Sequence, residues 1–277
     1  MDYKLKSKII FFLIIAVFFS CDNKKKNLLK LDSANLIDSS KSIVFDDNQI
    51  RYYEKVYLKT YGDSSDSTDY AEIKFEYPEI ITPIASYDSI NNYVTNQILN
   101  FPLSEEPFNN IDEISDSLFS SYIEAKKEFA DYNTNWFIKS NIKIMGIFRN
   151  IISIKTEESM YTGGANSFYN VIFSNFYIEN GKVLLLGDIV KEEKFSELAN
   201  VGKDLFYKLK NIPNNSSLEN AGYWFENKSF EFNDNFAITD SGFVFFYNLY
   251  EIAPRVEGTT ELFIPKERII ELTNIYE

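Results

Sequence analysis

The sequence contains no histidine and a single cysteine, Cys21. Without histidine, Ser-His-Asp and Cys-His catalytic groups are excluded, as is every zinc site that needs an imidazole ligand. A lone cysteine forms no intramolecular disulfide, so the hydrophobic core must stabilise the fold by itself. The groups left for chemistry are carboxylates, lysine, tyrosine, serine and threonine. The leading prediction has no catalytic residues, no metal site and no cofactor, and carboxylates are the groups on which an alternative would depend.

Basic residues are scarce as well. The 277 residues include 28 Lys and Arg against 41 Asp and Glu, a formal net charge of −13. Coulomb repulsion makes such a chain a poor partner for nucleic acid or anionic lipid, and it favours a cationic partner. The solubility of an exported protein explains the same acidity, and both explanations stay open.

Long apolar runs are absent except at residues 9–19, which follow Lys4, Lys6 and Lys8. This run is shorter than the roughly 20 residues that a membrane-spanning helix needs, and its basic flank is typical of a secretory signal peptide. It ends at Ser20-Cys21, which resembles the lipobox of bacterial lipoproteins, although Phe18 stands where that family usually has Leu.

The lipobox resemblance implies a signal peptide over residues 1–20 and lipidation of Cys21. It also implies an exported protein, anchored to a membrane of the cell envelope through its lipid, in the periplasm or at the cell surface. Residues 1–20 carry three Lys and one Asp, so the mature chain would have a charge of −13 − 2 = −15. An uncleaved membrane anchor is the alternative.

The rest of the chain predicts an α+β fold in which antiparallel sheets pack against helices, because strands come in runs that are broken by helices. Residues 21–45 are polar and predict a flexible tether. Two consecutive α+β subdomains are predicted to follow, at 46–160 and 161–277. The organising feature is a pair of long strands on either side of Tyr161-Thr162-Gly163-Gly164-Ala165-Asn166.

Alternation of apolar and polar residues indicates which faces are buried. Residues 70–77 alternate as a half-buried strand does. In the preceding strand Val56 and Leu58 are predicted to share one face, and Lys55, Tyr57 and Lys59 the other. A final helix is predicted to begin at Pro265, with Ile269, Ile270 and Leu272 facing inward.

Two stretches together resemble the paired extracellular domains of RsiV-type anti-sigma factors and PdaC-type peptidoglycan deacetylases. The first is Tyr161-Thr162-Gly163-Gly164-Ala165-Asn166, followed by a strand, the Asn180-Gly181 turn and Leu186-Gly187-Asp188-Ile189; the second is residues 242–254 with Gly258 and Ile264-Pro265. The family often has His where this chain has Asn166. The membrane helix and the catalytic domain of those proteins have no counterpart here, so the resemblance implies the binding module alone.

In the anti-sigma members this module binds lysozyme, a cationic protein, partly through the loop that corresponds to residues 250–255. The resemblance therefore implies a cationic, lysozyme-like protein or a peptidoglycan-related ligand as the partner. Tyr250, Ile252 and Pro254 are candidates for a recognition loop, since aromatic anchors dominate interface energetics. The alternative is that Tyr250 and Ile252 pack inward beneath a rigid turn.

Tyr161, Gly163 and Gly164 are further candidates for binding, because glycines let a backbone approach a ligand closely. A tight connection between two strands is the alternative. The predicted function is a non-enzymatic, lipid-anchored binding module of the cell envelope. A glycan hydrolase that uses acidic residues and a structural envelope lipoprotein are the other possibilities. Glu157 and Glu158 do not suit the hydrolase, because neighbouring strand residues face opposite ways.

Overall fold

The structure, a computed structural model, describes residues 35–45, 48–62, 69–82, 86–129 and 133–276. These residues form ten strands and four α-helices. The strands are β1 Asn35–Phe45, β2 Asn48–Gly62, β3 Tyr70–Ile80, β4 Trp136–Phe148, β5 Ile151–Tyr161, β6 Phe168–Tyr177, β7 Val183–Leu184, β8 Phe236–Ile238, β9 Gly242–Tyr247 and β10 Thr260–Pro265. The helices are α1 Ser86–Leu99, α2 Ile111–Glu128, α3 Leu186–Ile189 and α4 Phe195–Leu209.

The first seven strands form one sheet in the order of the chain, and β8, β9 and β10 form a second sheet. The α+β class is confirmed. All neighbours are antiparallel except β3 and β4, which run parallel from Ala71–Trp136 to Glu76–Asn141. The exception follows from α1 and α2, which lie between β3 and β4 in the chain. A connection of this length lets the chain return to the end of the sheet where β3 began, so that β4 runs in the same direction as β3.

One face of the large sheet is covered by α1 and α2. Ile90, Val94 and Ile98 form the buried stripe of α1 and pack among the inward side chains of the sheet. Helix α2 is capped at its N-terminus by Asn110, whose side chain accepts a hydrogen bond from the Glu113 N–H. Such a cap satisfies one of the free N–H groups of the first turn, which explains why the helix starts there.

The face of β2 that carries Tyr57 points into the core at this residue. This side chain is in the core, stacked on Phe75 with ring centroids 6.3 Å apart. Its hydroxyl donates to Asp112 Oδ1 at 2.7 Å and lies 2.8 Å from Ser115 Oγ. Because α2 supplies polar partners for the hydroxyl, the ring is buried without leaving an unpaired polar group.

The small sheet packs on the other face of β5 and β6 through side chains that pair with backbone groups. The Asn175 amide donates to Phe236 O at 2.8 Å and accepts from the Ile238 N–H at 3.1 Å. Ser153 Oγ lies 2.9 Å from Ile238 O. Strand β5 is therefore covered on both faces, and its residues 151–154 are all buried.

Strand β1 lies inside the stretch predicted as a tether, and it pairs with β2 from Asn35–Leu58 to Phe45–Asn48. The predicted boundary between residues 160 and 161 falls between β5 and β6, which are neighbours in one sheet. Two main hydrophobic clusters nevertheless exist, one under α1 and α2 and one around α4 and the small sheet. That the two halves are subdomains stays a prediction.

The predicted final helix is wrong. Residues Lys266–Arg268 form a single 3₁₀ turn, and the chain then continues in turns. Ile269 and Leu272 are buried as predicted, whereas Ile270 is 39% exposed. The Val190–Thr273 bridge holds this segment against the rest of the chain, so its backbone groups find partners outside a helix.

Residues 1–20 and Cys21, which carry the predicted signal peptide and lipidation site, lie outside the described residues. Among the helices of the described part of the chain, none is long and apolar enough to cross a bilayer.

Candidate functional site

The strongest candidate site is the loop that follows β9, residues 248–258, which is fastened to the sheet at its base. Asn248 Oδ1 accepts from the Val171 N–H at 2.8 Å, and Asn248 Nδ2 donates to Val171 O at 2.9 Å. The Asn248 amide thus pairs with the backbone of β6 on the side away from β5, as a neighbouring strand would. The loop therefore starts from a fixed position.

Glu251 holds the next turn. One of its carboxylate oxygens accepts from the Asn248 N–H at 2.7 Å, and the other accepts from Asn233 Nδ2 at 2.6 Å. The Glu251 carbonyl accepts from the indole N–H of Trp224 at 3.1 Å. These bonds restrict the loop before any partner arrives, and such preorganisation lowers the entropy lost on binding.

Tyr250 has a backbone conformation that is unusual for its residue type. Its φ is +64°, in the left-handed region that costs a residue with a Cβ roughly 1–2 kcal/mol. Its side chain is 58% exposed. An exposed aromatic side chain on strained, well-anchored backbone is an observation that supports a hypothesis of function.

Other exposed apolar side chains lie on the same loop and on the segment that it contacts. On the loop, Pro254 is exposed and Val256 is 88% exposed. On the contacted segment, Trp224 is 46% exposed. We call Trp224, Tyr250, Pro254 and Val256 the Tyr250 surface. Sequence reasoning missed Trp224 and Val256. The only available signal was a tryptophan in a polar, poorly patterned segment.

Ile252 differs from its neighbours in the loop. It is 6% exposed and belongs to the hydrophobic cluster around α4, and the adjacent Ala253 is buried as well. The two predicted alternatives thus apply to different residues, because Tyr250 and Pro254 face solvent and Ile252 faces the core. Ile252 supports the loop from within.

The glycine turn between β5 and β6 lies beside this loop. The Arg255 guanidinium donates to Ser167 O at 3.3 Å, which joins the loop to the end of that turn. Gly163 has a φ of +83°, a conformation that glycine adopts without steric cost. Gly164 is exposed, and the position of its missing Cβ is open space. The structure thus brings two of the predicted segments together.

Tyr161 is half-buried at the start of the same turn, where its ring lies 6.3 Å from that of Phe137. The stretch from 219 to 257 carries seven Asp and Glu against Lys228 and Arg255, a local charge of −5. Near the loop, the Tyr223 hydroxyl donates to Glu257 Oε2 at 3.3 Å. The Tyr250 surface is therefore apolar and aromatic within an acidic part of the chain.

The adjacent carboxylates of β5 lie in different environments. Glu157 accepts from the Tyr169 hydroxyl at 2.7 Å, and this bond lowers the pKa of the carboxyl. Glu158 is 5% exposed, and burial raises its pKa, although Asn170 Nδ2 donates to it at 3.2 Å. Their separate partners agree with the prediction that they face opposite sides of the sheet. In the described residues, no group of three or more acidic or cysteine side chains is placed to hold a metal ion.

Comparisons with known proteins show that the C-terminal part of the chain is similar to one family. Residues 187–267 match the family DUF3298, described as a protein of unknown function. No curated protein matches the chain.

Two solved structures share the fold. A DUF3298 family member from Bacteroides fragilis superposes with a TM-score of 0.59 at 18% identity, over 90% of this chain and 96% of that one. A DUF3298 family protein from Pseudomonas aeruginosa gives a TM-score of 0.56 at 15% identity, over 86% of this chain and 95% of that one. The chain is thus similar to the DUF3298 family in sequence over residues 187–267, and to two members of that family in fold.

Proposed function

We propose that this protein is a non-enzymatic binding module of the bacterial cell envelope, and that the Tyr250 surface contacts its partner. The observation that carries the proposal is Tyr250 itself, an exposed aromatic side chain on strained backbone. The hydrogen bonds of Asn248 and Glu251 hold that backbone in place. A core residue needs no such arrangement, whereas an interface anchor benefits from it.

The partner that we propose is a basic protein such as a lysozyme-like wall hydrolase, and a peptidoglycan-related ligand is the alternative. The net charge of −13 and the excess of five acidic residues in the stretch 219–257, which includes most of the loop, both support a cationic partner. Opposite charges on two proteins raise the rate of their encounter and select against acidic competitors. The apolar side chains would form the packed centre and the carboxylates the surrounding rim.

We further propose that the module is exported and attached to a membrane through lipidated Cys21. The support is the order of the N-terminal residues: a basic flank, an apolar run over residues 9–19, and Ser20-Cys21. This arrangement directs bacterial proteins to export.

Binding is tested by titrating the purified full-length protein with a basic lysozyme and, separately, with a neutral protein of similar size. We expect the lysozyme to bind at 0.1 M salt and more weakly at 1 M, because the Debye length falls from about 10 Å to about 3 Å. Tyr250→Ala is expected to cost about 2 kcal/mol of binding free energy, as for an interface anchor.

The matched control is Phe263→Ala, which removes an exposed aromatic ring from β10 that is not part of the Tyr250 surface. This variant should bind as the wild type does. Equal losses for the two variants, binding indifferent to salt, or no binding at 0.1 M would contradict the proposal. The structural lipoprotein would then be the better explanation.

A further inference from the structure

The face of the large sheet that points away from α1 and α2, here called the outer face, is open to solvent over part of its area. The small sheet packs on it at Ser153 and Asn175. Every second residue of β5 from Ser153 to Tyr161 lies on this face, because side chains alternate along a strand. Beyond the small sheet the face is accessible, since the side chain of Glu157 is 38% exposed.

The outer face contains a cleft. Cα atoms of β1 come within 8 Å of β4, although β2 and β3 lie between these strands in the sheet. A flat sheet would hold strands three places apart at about 14 Å, so this sheet curls. Glu76 pairs with Val56 on one side and with Asn141 on the other, and all three line a cleft of about 130 Å³.

The charged side chains that line the cleft already have partners. There are four of them, and each has an opposite charge nearby. The pairs are Glu54–Lys41 at 2.5 Å, Lys55–Glu79 at 2.6 Å, Glu76–Lys74 at 3.0 Å, and Lys143 with Glu157, whose pKa the lysine charge helps to lower. A ligand of either net charge would have to compete with these pairs, so the cleft suits a neutral ligand.

One polar atom of the cleft has no such partner. Asn141 Oδ1 is buried, and in the described part of the chain no group donates a hydrogen bond to it. Buried acceptors in native proteins normally bond to protein, water or a ligand. The same cleft is lined by apolar atoms of Val56 and Pro78. It therefore suits a group that combines an N–H donor with a small apolar end.

Two aromatic rings lie farther along the same face. Phe137 and Tyr161 are cross-strand partners on β4 and β5, each half-buried, with ring centroids 6.3 Å apart. Phe137 is four residues from Asn141, about 13 Å along the strand. Between them Lys139 pairs with Glu72 at 2.9 Å, so this stretch is also neutralised. The rings offer flat apolar surface in a neutral polar setting.

We propose that the outer face binds a neutral glycan that carries N-acetyl groups. A pyranose ring has apolar C–H faces that pack on Phe137 and Tyr161, and its hydroxyls suit the polar strip beside them. The acetamido group would donate its N–H to Asn141 Oδ1 and place its methyl group in the apolar part of the cleft. A peptide fits less well, because it takes its affinity from pairing along a strand edge rather than from a sheet face.

Sheet faces bind oligosaccharides in other folds as well. None of the residues of this site belongs to the Tyr250 surface. The inference is therefore independent of the protein partner proposed for that surface.

The probes are two tetrasaccharides with the same backbone, N-acetylchitotetraose and cellotetraose, in which each acetamido group of the first is a hydroxyl in the second. Each is titrated into the full-length protein in a calorimeter. We expect N-acetylchitotetraose to bind about tenfold more tightly, because only the acetamido group fills both the acceptor and the apolar wall. The affinity should be the same at 0.1 M and 1 M salt, since the ligand is neutral.

Three variants locate the site. Asn141→Leu removes an unpartnered oxygen, so the fold should persist, and the affinity for N-acetylchitotetraose should fall about tenfold with a smaller effect on cellotetraose. Tyr161→Ala should weaken both sugars about fivefold, and Tyr161→Phe, which keeps the ring, should bind as the wild type does. Tyr250→Ala should bind both sugars unchanged.

The proposal is overturned if N-acetylchitotetraose does not bind at millimolar concentration. Equal affinities of the wild type for the two sugars would overturn it too, as would an Asn141→Leu variant that keeps the full preference. Binding that weakens in 1 M salt would show that charge attracts the ligand. Because the Tyr250 surface is tested with lysozyme, the failure of one proposal leaves the other standing.

Discussion

At the residue scale, Glu158 is the side chain whose position is hardest to reconcile with its chemistry. It is a carboxyl on the helix-covered side of β5, opposite Ser140 on β4 and Asn170 on β6. The Asn170 amide is its hydrogen-bond donor, at 3.2 Å. Burial in this setting raises the pKa of Glu158 above the ordinary value of 4.5, because the charged form loses its hydration.

The raised pKa predicts a pH dependence for the free energy of unfolding. The folded state favours the protonated carboxyl, so wild-type stability falls as the pH rises from about 4.5 through the folded-state value. Glu158→Gln keeps the shape and removes the charge. We expect urea unfolding to show the variant more stable than the wild type at pH 7 and equal to it at low pH.

Glu157→Gln is the matched control on the adjacent residue, and its sign is opposite. The Tyr169 hydroxyl lowers the pKa of Glu157, so this carboxylate stabilises the fold above pH 4.5 and ceases to do so as the pH falls. The variant should therefore be less stable than the wild type at pH 7. A Glu158→Gln variant that is also destabilised at pH 7 would show that the Glu158 charge is well accommodated.

At the element scale, β5 is the strand on which both layers depend. Ile152 is fully buried beneath the helices, with 0% exposure. Ile152→Asp would place an unpaired charge there, and we expect a loss of about 4 kcal/mol in the free energy of unfolding. Ile270→Asp, at an exposed position, should cost less than about 1 kcal/mol. Similar losses for both variants in urea titrations would contradict this position of β5.

The elements also show how far sequence periodicity reaches. Alternation correctly predicted the buried side of residues 70–77, where Ala71, Ile73 and Phe75 are in the core. It left the burial of Tyr57 undecided, because a tyrosine suits either face and the choice depends on Asp112 and Ser115 of a distant helix. Local patterns contain no information about such partners.

At the scale of the whole molecule, the two sheets are joined by a few buried polar side chains. Asn175 is 1% exposed and bonds to backbone groups of Phe236 and Ile238. Asn175→Ala would leave the Phe236 carbonyl buried without this partner, at a cost of about 2–3 kcal/mol. Asn180→Ala, in the exposed turn before β7, should change the melting temperature little. Equal melting temperatures for the wild type and Asn175→Ala would contradict this role.

The whole molecule also includes its proposed attachment to a membrane. Cys21→Ser should prevent fatty-acid labelling and move the protein out of the membrane fraction, because the lipid would have no attachment point. Ser20→Ala keeps a small residue before the cysteine and should leave labelling intact. Unchanged labelling and fractionation of Cys21→Ser would contradict the lipoprotein hypothesis.

The candidate site was only partly accessible to sequence reasoning. Tyr250 and Gly163 could be proposed because an aromatic residue in a loop and a glycine pair are local signals. That Arg255 joins their two segments through Ser167 was not predictable, since 88 residues separate the bonded pair. Trp224 was missed because its exposure depends on packing against the Tyr250 loop.

The sequence by itself determined what depends on composition and on near neighbours. The lack of histidine excluded imidazole chemistry, and alternation and turn residues located most strands. Only the tertiary structure decided the parallel pairing of β3 with β4 and the burial of Glu158 rather than Glu157. The physical reason is that alternation defines two faces of a strand, whereas the elements packed against those faces determine which of them is buried.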